Sequence, residues 1–251
     1  MRIALLIAKK ELFSFLVSPF SYAIAGLFYL VNGLTFYLFA SGPTSEMRGN
    51  FDLVTELFFS WWNFWFLAIF IPPLLTMRLL AEEFRLGTIE TLMTAPSSDA
   101  SVVVGKFLAA IGWCFLLWLP TVFFFGIAAQ GGASFDWGVV ATGYLFALLI
   151  YAFFLAVGIF TSTLTDTPIL SALLAIVIEL LAFFVMLLRY FEFAKGSEVA
   201  QKIGDRYSMY QILTEHALKG VIDSAHVMFF VTACGLLLFT ATRGLEFRRW
   251  R

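Results

Sequence analysis

The stretch TMRLLAEEFRLGTIETLMTAPSSDASVVVGK, Thr76 to Lys106, decides how the rest of the chain must fold. It holds the densest mix of charge, Gly and Pro between two long uncharged runs, Leu57 to Leu75 and Phe107 to Gln130. A bilayer core solvates neither charges nor unpaired backbone, so a polar segment between two membrane-length apolar runs must emerge into water. Residues 76–106 are therefore expected as a loop on one membrane face. Within it, Ala81 to Met93 has good helix formers and no Pro, and Leu80, Phe84 and Leu92 recur at the spacing of one helix face. Pro96 and Ser97-Ser98-Asp99 are expected to stop that helix. A short helix on the water-facing side is well placed to be pushed by a soluble partner.

Composition agrees with a membrane class. The chain is 61% hydrophobic and only 13% charged, with a mean hydropathy of +0.90, too little charge to clothe a water-soluble core of this size. A formal net charge of -1 argues for neither a nucleic-acid partner nor an acidic tail. Cys114 and Cys234 both fall within apolar runs and read as small buried hydrophobes, not as a disulfide pair or metal site.

Six stretches approach the roughly 20 apolar residues that a helical crossing needs. They are 20–40, 57–75, 107–130, 137–161, 169–188 and 226–242. Pro72-Pro73 is expected to kink or end the second as it leaves the membrane. Trp61, Trp62 and Trp65 look like an interfacial belt at its other end. Residues 1–18 are broken by Lys9, Lys10 and Glu11 too early for a signal peptide. They are expected as an interfacial elbow helix, with Ile3, Leu6 and Ile7 toward lipid and the lysines toward headgroups. Lys and Arg on alternate faces set the orientation. Arg2, Lys9, Lys10, Arg78, Arg85, Lys106 and the basic tail gather on one side, while most of the opposing charges sit in one longer loop. Both termini and the 76–106 loop are thus expected to be cytoplasmic. The segment 189–225, too polar to cross and too long for a turn, is expected as an extracytoplasmic helical cap or re-entrant hairpin, with a solvated loop as the alternative.

These residues carry a specific resemblance. The run AEEFRLGTIETLMTAPSSDASVVVGKFLAA, Ala81 to Ala110, resembles the signature of bacterial ABC-2-type permeases, especially the gliding-motility and nitrous-oxide-reductase-maturation branch. KKELFSFLVSPFSYAIAGLF, Lys9 to Phe28, is similar to that branch's elbow and first span, and His216 to Arg251 to its last loop, last span and Arg-Arg-Trp tail. The resemblance implies an all-α integral membrane protein, a single transmembrane domain of the type V ABC exporter kind. It implies dimerisation with a second copy or a related permease, and force received from two copies of a separate ABC ATPase, which would bind the ATP and Mg. Periplasmic or auxiliary membrane subunits accompany some members, and the setting is the bacterial inner membrane. By the same resemblance Glu82, Glu83, Arg85, Gly87, Thr88 and Glu90 form or flank a coupling helix, and Lys9, Lys10 and Glu11 belong to the elbow. Charge pattern alone leaves open that Glu82, Glu83 and Arg85 only solvate a loop and pair with neighbours.

The chain has no phosphate-cradling motif of its own. Gly105-Lys106 precedes a helix, but Phe107 stands where a P-loop needs Ser or Thr, and Ala100 replaces its first Gly. Glu179 falls near the middle of the fifth expected crossing, where a lipid-facing charge would cost on the order of 3 kcal/mol. It is expected to face the bundle or a dimer axis, or to be protonated. Two roles remain open for it: part of a substrate path or proton-linked gate, or a neutral acid hydrogen-bonded to a neighbouring helix. His216 and His226 show no ligand spacing, and Asp166 is expected to cap a turn before Pro168. The rivals to a permease are a proton-coupled secondary transporter using Glu179 and an intramembrane enzyme centred on Glu179 or His216. Neither gains paired broken helices nor a second reactive group at the same depth.

Overall fold

The computed structural model describes residues 2–40, 58–59, 62–87, 98–130, 136–187, 209, 212–213 and 217–249. Among them every regular element is helical, and the α-helices are α1 (Arg2–Val17), α2 (Pro19–Ala40), α3 (Trp62–Thr76), α4 (Ala81–Leu86), α5 (Asp99–Trp118), α6 (Val122–Gln130), α7 (Trp137–Leu164), α8 (Pro168–Leu187) and α9 (Ser224–Arg249). Five helical stretches are long and apolar enough to cross a membrane: Pro19–Leu38, Trp62–Leu86, Asp99–Gln130, Trp137–Leu164 and Ser224–Arg248. Pro168–Phe184, at the fifth of the six expected crossings, is a shorter apolar helix.

α7 is the axle of the bundle. At 28 residues it is about 42 Å long at the usual helical rise. It packs against α3, α4, α5, α8 and α9. Its Phe146, Ile150, Tyr151, Phe154 and Leu155 are almost fully buried, and small residues let neighbours come close. A Cβ on Gly158 would sit 2.0 Å from Thr76 Oγ1, and one on Gly143 would sit 2.7 Å from the Phe59 ring. Outward faces stay apolar: Leu30, Phe123, Ile169, Leu181, Leu236 and Phe239 are all more than half exposed. That is an inside-and-outside-apolar bundle, stable in lipid rather than in water.

Several local expectations are corrected. α3 runs through Pro72-Pro73 and ends only at Thr76. A proline lacks its own N–H, so the carbonyls it deprives lie upstream, and downstream donors carry the helix onward. Met77 N–H donates to Pro73 O at 2.9 Å, and Thr76 Oγ1 donates to Pro72 O at 2.8 Å. Trp65 is no belt residue: it is 4% exposed and its ring meets Phe64 and Phe183, whereas Trp62 does face outward. Trp61 lies outside the described residues. Ser98 and Asp99 start a helix instead of stopping one. Ser98 Oγ accepts from Ser101 N–H as the N-cap of α5, which therefore begins eight residues before the expected crossing at 107. That crossing is broken at Leu119–Thr121, a single 3₁₀ turn around Pro120 between α5 and α6. The last helix, 26 residues, outruns the expected 226–242 at both ends.

α1 does not simply face lipid. It packs along the first half of α5, with Ile7 against Gly105, Leu12 against Gly112 and the Phe15 ring stacked on Trp113. Ile7 therefore points into protein, while Leu5, Leu6, Phe13 and Val17 form the outward apolar face. Of the expected 189–225 segment, Met209, Ile212, Leu213 and Ala217 are buried among the described residues. Thr142 Oγ1 of α7 donates to Ala217 O at 2.6 Å, pinning that segment to one end of the axle.

Candidate functional site

The site is built around α4, six residues long. A helix this short cannot persist on propensity, so its position is set by what grips it. Four neighbours do. At its start, the N–H groups of Leu80 and Ala81 both donate to Ser162 Oγ of α7, at 3.2 and 2.9 Å. Leu80 and Ala81 have no exposed surface, so that hydroxyl replaces water as their acceptor. At its end, Gly87 takes φ 69°, a left-handed C-cap whose N–H returns to Phe84 O. This stops α4 at Leu86, short of the expected Met93. The signal is legible in the sequence, since Gly after a short amphipathic run is a common helix terminator. Thr88, Glu90 and Leu92 lie outside the described residues.

The sides of α4 are gripped by charge. Lys106 of α5, only 1% exposed, places Nζ 2.7 Å from Glu83 Oε1 and 3.2 Å from Glu11 Oε1. One ammonium thereby joins α1, α4 and α5. Lys10, largely in solvent, lies 3.6 Å from the same Glu11 oxygen. From the other side, the Arg248 guanidinium of α9 lies 4.4 Å over the Phe84 ring and pairs with Asp166 in the α7–α8 bend. Asp166 is thus an ion-pair partner, not the expected turn cap. Arg78 lies over the Phe20 ring at 4.2 Å and reaches Glu82 at 3.9 Å. Glu82 also meets Arg85 at 3.4 Å. Acids in the first turn and a base in the last suit the helix dipole.

The predicted residues therefore separate. Glu83 and Glu11 turn inward onto Lys106, while Glu82 and Arg85 face out beside each other, at 31% and 55% side-chain exposure. Lys9 and Lys10 lie on the exposed side of α1. A cleft of about 170 Å³ opens between α1, α2, α3 and α4, lined by Glu11, Ser14, Ser18, Ser21, Arg78 and Glu82. Sequence reading missed Lys106, Ser162 and Arg248. Lys106 leaves a trace in the sequence as the charge after Gly105, where it counts toward the basic side and resembles a P-loop lysine, and neither signal points to Glu11 or Glu83.

A second polar feature lies inside the bundle. Glu179 of α8 is fully buried, and neither carboxyl oxygen has a hydrogen-bond partner among the described residues. A packing role would need a hydroxyl or carbonyl partner, and none of the described residues supplies one. The hydroxyl of Tyr151, within electrostatic reach of Glu179 and Cys114, is also without a partner. So are both amide atoms of Asn63 and the indole N–H groups of Trp65 and Trp118. Tyr151 and Trp118 meet edge to face at 5.5 Å. Native interiors leave few such groups, which makes their gathering on α3, α5, α7 and α8 notable. Cys114 and Cys234 are both buried free thiols. Among the described residues no cluster of His, Cys, Asp or Glu has the makings of a metal site.

A helical bundle apolar on both faces, with five stretches long and apolar enough to cross, defines a multi-pass membrane protein. Residues 5–241 match the model of the ABC-2 family transporter proteins, and the chain belongs to that family. It is thereby a permease subunit of an ABC transporter, a class of non-catalytic membrane subunits that work with an ABC ATPase. None of the curated proteins matches the chain.

Proposed function

We propose that this chain is the transmembrane half of an ATP-driven exporter, crossing the membrane six times with α8 as the fifth crossing and both termini in the cytoplasm. Two copies pair, and two ATPase subunits dock on α4 and the exposed face of α1, closing the cytoplasmic side when ATP binds. The gliding-motility and nitrous-oxide-reductase-maturation branch in a bacterial inner membrane is the setting that its motifs fit best. What supports this reading above all is the clasp on α4. A short helix with Glu82 and Arg85 facing out is held from behind by α1, α5, α7 and α9, so a push on it reaches several crossings at once. Charged groups on such a helix suit a complementary cleft in a partner. The test is Glu82→Ala with Arg85→Ala in the assembled complex. Transport and co-purification with the ATPase should fall while membrane insertion holds; an unchanged coupled rate would refute the docking role. Replacing Glu83 would not test docking cleanly, because it also strips Lys106 of a partner.

A second reading attaches to Glu179. Its burial without a partner, near Tyr151, suits a place on the cargo path or a proton-linked gate better than a packing role. Glu179→Gln with normal expression and lost transport would support it; full transport would return the residue to packing.

A further inference from the structure

We infer that Lys106 is a positioning residue that welds the elbow helix α1 and the short helix α4 into one rigid receiving unit on the first turns of α5. The inference rests on the coupling reading and adds to it which residue makes the two docking elements move together. Three observations carry it. Lys106 is almost completely buried, yet among the described residues its ammonium contacts carboxylates from two other elements, Glu83 on α4 at 2.7 Å and Glu11 on α1 at 3.2 Å. Glu11 and Glu83 are themselves mostly covered, at 14% and 20% side-chain exposure, so neither can trade this partner for water without the helices parting. At Gly105, next in sequence, α1 comes close: a Cβ there would lie 2.8 Å from Ala4 O and 2.9 Å from Ile7. The Gly-Lys pair thus has two tasks, the first residue admitting α1 and the second fastening it.

The electrostatics make the weld directional. Two carboxylates share one buried cation, and the exposed Lys10 lies 3.6 Å from Glu11. Without the Lys106 charge, Glu11 and Glu83 would face each other across a poorly solvated gap and repel. The fastening is thus not only lost but reversed, and α1 swings off α4. With it, a displacement imposed on either helix is delivered at a single point, Lys106, at the head of a crossing.

The experiment uses the full chain in lipid nanodiscs, with spin labels at Lys9 on α1 and Leu86 on α4 and the two native cysteines replaced by Ala. The unsubstituted pair should give one narrow interlabel distance. Lys106→Met should replace it with a broad, longer distribution. Adding Glu11→Gln and Glu83→Gln to Lys106→Met should narrow the distribution part of the way back, because the repulsion is gone while the fastening is still lost; a merely space-filling lysine would not be rescued by that change. Should Lys106→Met fail to insert, Glu11→Ala tests the same weld, and it should release α1 alone. A Lys106→Met or Glu11→Ala distribution identical to the unsubstituted one overturns the inference, as does a triple variant no narrower than Lys106→Met. In the complex, loading the ATPase with ATP should leave the α1–α4 distance unchanged while both move against the bundle. A changed distance overturns the weld, whereas an ATPase that never touches either helix sinks the coupling reading and leaves the nanodisc result standing.

Discussion

Removing one hydroxyl, Ser162→Ala, should melt α4 and leave the bundle intact. Ser162 Oγ is the acceptor for two backbone donors, Leu80 N–H at 3.2 Å and Ala81 N–H at 2.9 Å, at a helix start with no access to water. An intramolecular hydrogen bond contributes about 1 kcal/mol net, and a buried donor left without an acceptor costs about 1–3 kcal/mol. Two such donors put the loss near about 2 kcal/mol even if the turn relaxes to share one of them. Because α4 is six residues long, it has no reserve of propensity to absorb this. The population of open α4 should rise roughly 30-fold, since each 1.4 kcal/mol is a factor of ten. Hydrogen–deuterium exchange read by mass spectrometry on nanodisc-embedded protein would show it directly. Amides of residues 80–87 should exchange roughly 30-fold faster, with α7 between 146 and 158 unchanged. Unchanged exchange in 80–87 would refute the claim that Ser162 holds α4, and a uniform increase everywhere would mean that the hydroxyl supports the whole fold instead.

Other consequences can be checked alongside. Gly158→Ala would drive a methyl to 2.0 Å from Thr76 Oγ1, so thermal unfolding in detergent should register a loss of about 1–3 kcal/mol, partly recovered by adding Thr76→Ala. Arg248→Ala removes both the stacking on Phe84 and the pair with Asp166, whose side chain is 73% exposed. With most of the ion pair screened, the loss should be about 1 kcal/mol and seen chiefly as faster exchange at α4, insensitive to added salt. Glu179→Leu removes a buried polar group that has no partner among the described residues and should leave unfolding temperature unchanged or raised; a marked drop would show that the carboxyl has a partner elsewhere.

The class of the fold was open to reading because lipid imposes a crude rule: crossings must be long and apolar, and whatever is charged must lie outside them. Five of the expected spans fall on helical stretches long and apolar enough to cross, though some ends lie many residues away, as at Asp99 against the expected 107. Boundaries were harder, because Pro72-Pro73 and Ser98-Asp99 are ambiguous punctuation whose meaning depends on which carbonyls and N–H groups nearby need partners. Glu82 and Glu83 were found as charges on a short helix, yet their opposite orientations follow from Lys106, distant in sequence and revealed only when α5 packs. Ser162 gave no signal at all: a serine late in an apolar run has no mark that distinguishes a cap for another element from a hydroxyl bonding its own turn. Trp65 is ambiguous because tryptophan serves interfaces and cores alike, and Trp62, three residues before it, faces outward.

The length of α7 ties the two membrane faces to one another. Ser162 near one end holds α4, and Thr142, twenty residues earlier and about 30 Å away by helical rise, holds the segment at Ala217. On the proposed docking reading, a stiff rod fastened at both tips reports in either direction: whatever settles on the far loop biases the posture offered to the motor, by the same free energy with which the motor biases that loop. On that reading, cargo or a companion subunit arriving outside sets the pace of nucleotide turnover inside without any messenger other than the rod.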